Sequence, residues 1–258
     1  MLQFGSRNEL SRSQTRFIQV LTAIIVIGGW ELLAMGANPL LVPKPSTIVA
    51  AAWDTLVSGE LARASAQSAA SFATGFGIAL VLGVALGLLM GVSRIVEKVL
   101  DPYVNALYAM PIIALIPFIM LWAGIGFQAK VIIVVLFAIF PIIINTAVGV
   151  KNVDRHYLDI GVAFRASRSA MFLKIVAPSA LPFVASGIRL AVGRGIIAMV
   201  VAEFLTAISG LGGMIINYSN SFQTAKAFVP VIVLGFLGIS LTYLVQIVEQ
   251  RLAAWKTA

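Results

Sequence analysis

The feature that most constrains this chain is a series of six apolar runs, near 17–36, 69–92, 102–122, 131–150, 180–205 and 227–248, from which charged residues are nearly absent. Each is close to the roughly 20 residues an α-helix needs to cross the hydrocarbon core of a bilayer. In that core every backbone N–H and C=O must be satisfied within the chain, so only helices and closed barrels are admissible. Barrel strands would read as runs of about 10 residues with alternating polarity. The run Val131-Ile-Ile-Val-Val-Leu-Phe-Ala-Ile-Phe140 does not alternate. The predicted fold class is an all-α integral membrane protein with six transmembrane helices, and residues 1–258 read as one transmembrane domain. Composition agrees: 60% of the residues are hydrophobic and 11% charged, whereas a soluble domain carries about 25% charged residues.

The formal net charge of +8 invites a nucleic-acid reading, but the basic residues are confined to the loops, which points to a lipid bilayer and to no nucleic acid. With the N-terminus inside, Arg7, Arg12, Arg16, Arg94, Lys98, Lys151, Arg155, Arg165, Arg168, Lys174, Arg251 and Lys256 face the cytoplasm. Lys44, Arg63, Lys130 and Lys226 face outward. Lys and Arg excess marks cytoplasmic loops, so both termini are expected inside. Arg7, Arg12 and Arg16 with Ala34-Met35-Gly36 also fit a cleavable leader, but the apolar stretch is longer than the usual 7–15 residues of such a segment. It reads as a retained first span.

Catalysis by this chain is not expected. There is no cysteine and the single histidine is His156, which excludes thiolate sites and a multi-histidine metal centre. No G-x-x-x-x-G-K-[ST] phosphate loop is present either.

Between the spans the sequence is uneven. Pro43, Lys44 and Pro45 lead to Ser46, placed to cap a short external helix running through Trp53 and Val57. Glu31, beside Trp30, reads as an interfacial anchor. Span two carries Gly75, Gly77, Gly83, Gly87 and Gly91, a stripe that permits close approach of a neighbouring helix. Span three holds Pro111 and Pro117, each removing a helical hydrogen bond; the result is a kink or an interruption, serving either packing or the lining of a path. The segment 151–178 pairs apolar residues at helical spacing (Leu158 with Val162, Ile160 with Phe164, Met171 with Ile175), which predicts two short amphipathic helices meeting around 166–169. Apolar side chains displayed on the cytoplasmic side predict a covering partner.

These residues carry a resemblance. Tyr157-Leu-Asp-Ile-Gly-Val-Ala-Phe-Arg-Ala-Ser-Arg168, with Phe172-Leu-Lys-Ile-Val-Ala-Pro178, resembles the EAA loop of ABC importer permeases, the coupling helix that docks in a groove of the cytoplasmic ATPase. Asp159-Ile160-Gly161 stands where Glu-Ala-Ala is usual, and Arg165 where the family has a glycine. Leu41-Val-Pro-Lys-Pro-Ser-Thr47, Pro111-Ile-Ile-Ala-Leu-Ile-Pro117, Leu121-Trp-Ala-Gly-Ile-Gly126, Gly187-Ile-Arg-Leu-Ala-Val-Gly-Arg194, Val201-Ala-Glu203 and Gly210-Leu-Gly212 are similar, in this order, to the branch handling nitrate, sulfonates, taurine and bicarbonate.

The resemblance implies a type I ABC importer permease fold in a bacterial inner membrane. It implies two permease subunits, expected to be identical, two cytoplasmic nucleotide-binding ATPases and an extracytoplasmic solute-binding protein. ATP and Mg belong to the ATPases, with no cofactor or metal on this chain. The expected function is alternating-access passage of a small solute: a sulfonate, taurine, nitrate, bicarbonate or aromatic carboxylate. The implied ATPase-coupling residues are Leu158, Asp159, Ile160, Gly161, Val162, Phe164, Arg165, Ala166, Ser167, Arg168 and Pro178. A pyrimidine or riboflavin-like nutrient, or a self-contained secondary transporter or channel, are the alternatives. The last would need its own coupling-ion site or filter, and no dense acidic cluster is present.

Pro111, Pro117, Asn145, Arg189, Arg194 and Glu203 are the candidate path or gate residues. Ionisable groups at bilayer depth are costly and face protein or water. Arg194 either offers its guanidinium to an anionic solute or, with Arg189, bonds backbone carbonyls or polar groups such as Asn145 on neighbouring spans. Glu203 is a gate or an intersubunit partner; at about 100° per residue it lies about 180° from Arg194, so an unbroken helix cannot pair the two.

Overall fold

The fold follows from where close helix approach is possible. In the computed structural model, residues 11–206 and 209–253 are described; of the basic residues used for orientation, Arg7 and Lys256 lie outside them. The helices are α1 (Arg12–Met35), α2 (Pro45–Val57), α3 (Glu60–Val92), α4 (Arg94–Ala109), α5 (Ile116–Ala123, preceded by the 3-10 turn Ile112–Leu115), α6 (Phe127–Lys151), α7 (Arg155–Ala163), α8 (Arg168–Met171), α9 (Ala177–Leu205), α10 (Gly210–Asn220) and α11 (Thr224–Ala253). A π-helical stretch, Phe172–Val176, joins α8 to α9. α1, α3, α6 and α11 are each long and apolar enough to cross a membrane. The pairs α4–α5 and α9–α10 are also long and apolar enough when each bent pair is taken as one span, which allows up to six crossings.

α3, α6 and α9 form the core. A Cβ built on Gly75, Gly83 or Gly87 of α3 would lie 2.8, 2.9 and 2.5 Å from side chains of α6 (Val134, Ile142 and Thr146). Gly187 of α9 similarly admits Asn145, and Gly149 of α6 admits Phe183. Gly77, expected in the same stripe, has open space where its side chain would be. α6 is therefore the central helix: 56% of its apolar window is buried, against 6% for α1, which stands at the periphery. Ile116 and Ile119 of α5 join Ile133 and Val134 of α6 and Met199 of α9 in the largest apolar cluster.

Span three departs from a single helix over 102–122. Met110 is extended (φ −68°, ψ 139°), as a residue before proline tends to be. The chain turns by 88° between α4 and the stretch from Ile112 to Ala123. Pro117 causes no break, because it falls in the first turn of α5, where its missing N–H has no intrahelical role. Span two begins earlier than its apolar run: α3 extends back to Glu60.

Ser46 does not cap α2. Lys44 occupies the cap and Pro45 opens the helix, while Ser46 donates its N–H (3.0 Å) and hydroxyl (2.7 Å) to the Glu31 carboxylate. Glu31 thereby ties α1 to α2, a more specific task than interfacial anchoring. The molecule has two ends: one carries α2, the start of α3 and α10; the other carries α7, α8 and the Lys151–Glu97 ion pair (2.6 Å). They are called the α2 end and the α7 end below.

Candidate functional site

The segment 151–178 holds one of the two expected short helices, α7; the second, α8, runs without a gap through the π-helical stretch into α9 and is the start of that long helix. Asp154 caps α7 by accepting the His156 N–H (2.9 Å), and Ser167 caps α8 by accepting that of Ala170 (3.2 Å). Between them, Ala166 N–H bonds the Gly161 carbonyl (2.9 Å) and Arg165 N–H that of Val162 (2.9 Å). This double bond pattern is a Schellman stop, which requires a left-handed residue at its penultimate position. Arg165 is that residue, with φ +51°, so the position where the resemblance calls for glycine is one where the backbone favours it. A side chain in this conformation costs roughly 1 kcal/mol or more. Arg165→Gly is therefore expected to raise stability by about 1 kcal/mol, read as a higher Tm in detergent; an unchanged or lower Tm would show that the guanidinium contributes more than the backbone loses.

Gly161 is buried against Met171 and Ile175, where a Cβ would sit 2.6 Å from the Met171 methyl. α7 is thereby held on the chain leading into α9, while Val162 (68% exposed) and Phe164 (83% exposed) project away from it. Asp159 and Arg168 are exposed, Leu158 and Ala166 half-buried. Tyr157, Ile160, Lys174, Ile175, Pro178 and Ser179 line a cavity behind α7.

The bilayer-depth charges fall into separate environments. α9 is unbroken, and Glu203 and Arg194 lie on opposite sides of it: Glu203 is fully buried, Arg194 exposed. The Glu203 carboxylate accepts the Ser68 hydroxyl (2.7 Å) and the Gly212 N–H (2.8 Å). Ser68 Oγ accepts from Leu211 N–H (2.8 Å), and Gln67 Oε1 from Gly210 N–H (2.9 Å). Three first-turn amides of α10 are thus satisfied by side chains, with a carboxylate at the positive end of the helix dipole. Alongside, the buried Lys130 donates to the carbonyl (3.1 Å) and hydroxyl (2.6 Å) of Ser209. Gly210, at φ +86°, could not carry a side chain, because its Cβ would fall on the Glu203 carboxylate.

This cluster clasps the α9–α10 corner within one chain. Of its members, sequence reasoning singled out Glu203, Gly210 and Gly212 and missed Gln67, Ser68, Lys130 and Ser209. Removing the carboxylate leaves the Ser68 hydroxyl and the Gly212 N–H unpaired at a buried site, at about 1–3 kcal/mol for each group. Glu203→Ala is expected to lower the Tm by several degrees and Glu203→Gln by less; equal Tm values for all three proteins would remove the clasp.

Arg189 forms an ion pair with Glu249 of α11. Arg194 instead lies over the ring of Tyr108 in α4, 4.4 Å from its centroid. Asn145 bonds neither arginine; its amide donates to the Pro141 carbonyl in its own helix (2.8 Å). Pro111 marks the α4–α5 break and Pro117 the start of α5. The candidate path residues therefore do not converge on one spot.

Residues 79–254 match the family described as binding-protein-dependent transport system inner membrane component. Among curated relatives, a protein named as an aliphatic sulfonates transport permease, SsuC of Escherichia coli (strain K12), is 34% identical over 90% of this chain and 89% of its own. The riboflavin transport system permease protein RibX of Chloroflexus aurantiacus is 31% identical over 92% of this chain and 89% of its own. The nitrate import permease protein NrtB of Leptolyngbya laminosa is 32% identical over 88% and 84%. Among solved structures, the inward-facing MetNI methionine ABC transporter superposes with a TM-score of 0.53 at 22% identity, covering 84% of this chain and 98% of that one. That likeness establishes the type I ABC importer permease fold.

Proposed function

The chain belongs to the family of binding-protein-dependent transport system inner membrane components, and we propose that it is the transmembrane subunit of an ATP-driven importer for a small anion. The observation that carries this reading is the family match itself, which runs through residues 79–254 and so takes in α7, α8 and the helices they join. The chain is a multi-pass membrane transport subunit and not an enzyme; hydrolysis falls to a separate ATPase that binds ATP and Mg. In the working assembly two identical copies pair, two cytoplasmic ATPases dock at the α7 ends, and an extracytoplasmic solute-binding protein delivers solute at the α2 ends. Both termini are cytoplasmic in this arrangement, which the excess of Lys and Arg on that side supports. Val162 and Phe164, apolar and projecting, are the docking contacts, with Arg168 on the rim.

ATP closing the ATPase pair moves α7, and α9 moves with it because Gly161 packs against the chain that enters that helix. The path then passes from inward-facing to outward-facing, and hydrolysis resets it. Two relatives, named for riboflavin and formylaminopyrimidine transport, stand at similar identity to the nitrate and sulfonate ones, so charge is what the substrate test must separate.

Coexpression with the chromosomal neighbours, mild-detergent purification, mass identification and an ATPase assay test the whole reading. A stoichiometric nucleotide-binding subunit, with hydrolysis stimulated by a solute-binding protein, is the expected result. Uptake by the chain alone, driven by a proton or sodium gradient, would make it a secondary transporter.

A further inference from the structure

Resting on the importer reading above, we propose that Arg194 and Tyr108 form an oxyanion subsite on the path, in which Tyr108 holds the guanidinium for a sulfonate-, carboxylate- or nitrate-type solute. The two arginines of α9 make the argument by contrast. They are five residues apart, about 7.5 Å along the helix and about 140° around it, and only one of them is neutralised. Arg189 has Glu249. Among the described residues Arg194 has no carboxylate within ion-pair range. On the helix that faces it, Glu97 is taken by Lys151, and Asp101, seven residues or about 10 Å before Tyr108, forms no ion pair among the described residues.

Arg194 is also deep. It lies about 26 Å along α9 from Ala177 and about 17 Å from Leu205, by rise per residue. A guanidinium at such depth faces protein or water and seeks a counter-charge. Among the described residues the chain supplies only the ring of Tyr108, centred 4.4 Å away. No group among the described residues accepts a hydrogen bond from Arg194, so its N–H edges, the part that binds oxyanions in a fork, are open. The surroundings leave room: Gly193 has nothing within 4 Å of a built Cβ, and Leu190 and Ile197, on the same side of α9, are 55% and 58% exposed. A single oxyanion on these edges supplies the missing charge, and transport returns the arginine to its ring contact.

The test uses the assembled importer, with ATPase and binding protein, in nanodiscs. Phenylglyoxal modification of Arg194 and Arg189 is quantified by peptide mass spectrometry with ethanesulfonate, nitrate or benzoate, against ethanol at matched sodium chloride. At least one anion is expected to protect Arg194 about fivefold, as a forked charge-assisted contact should, while Arg189 is unaffected. Uptake of that anion should fall about tenfold in Arg194→Gln and in Tyr108→Leu, yet stay near wild type in Tyr108→Phe, which keeps the ring. ATPase copurification should be normal in all three. Arg194 labelling that no anion alters, or wild-type uptake in Arg194→Gln, overturns the subsite and leaves the importer standing. A wild-type chain that retains no ATPase overturns the importer reading instead.

Discussion

Phe164→Asp is expected to strip the ATPase from the purified complex while leaving the membrane fold intact. Phe164 is 83% exposed and Val162 68%, so neither supports the interior of its own chain. Burying a phenylalanine under a partner is worth about 1.5–3 kcal/mol, and a carboxylate placed there adds a desolvation cost of its own. Loss of both predicts copurification reduced more than about tenfold, since 1.4 kcal/mol is a factor of ten in an equilibrium, with the Tm of the isolated chain unchanged. Val162→Asp should behave alike with a smaller effect. Stoichiometric ATPase and normal uptake in Phe164→Asp would place docking elsewhere.

Gly87→Leu should have the opposite character: no partner specificity, and no folded chain to purify. A Cβ at this position would lie 2.5 Å from Thr146 Cβ and 2.7 Å from the carbonyl oxygen of Ile143. The second neighbour is backbone, so no rotamer change relieves the clash and α3 must part from α6. Overpacking typically costs about 1–3 kcal/mol where side chains can yield; here the cost should exceed that range. Membrane accumulation followed by size-exclusion in detergent reads the result. Gly77→Leu is the control, since its side chain would meet nothing, and it should accumulate normally. Equal yields of the two variants would mean that α3 and α6 are not in close contact.

The spans were legible because lipid admits few backbone solutions, so apolar run length alone located α1, α3, α6, α9 and α11. Their ends were less legible where polarity and helicity part company: α3 begins at Glu60 because Gly59 precedes it with φ +76°, well before the apolar run starts. The 151–178 segment was legible as helical, since paired apolar positions persist there despite the charges, but only α7 is a separate short helix; the second runs on into α9. The left-handed state of Arg165 could have been suspected only from the glycine expected at that place.

The clasp around Glu203 was largely hidden. Ser68 and Gln67 look ordinary in an alanine-rich helix, and their meaning depends on α10, about 140 residues later in the chain, delivering its amides to them. Lys130 looked like a loop charge because it opens α6, yet it is 4% exposed. Arg194 was singled out by its depth and by the resemblance of Gly187–Arg194; that Tyr108 lies over it depends on how the broken third span packs against α9 and could not be read from spacing.

The Gly161 contact with Met171 and Ile175 and the Glu203 clasp sit at opposite ends of one helix. At 29 residues, α9 is about 43 Å long and helical throughout from Ala177 to Leu205, with Pro182 near its start. It is a lever with a load at each end. A tilt of about 10° about one end carries the other through about 7 Å, from the helix length alone, which exceeds one helical turn. A rigid tilt imposed at the α7 end would therefore reach the α2 end over the whole length of the helix, and the clasp would carry α10 with it.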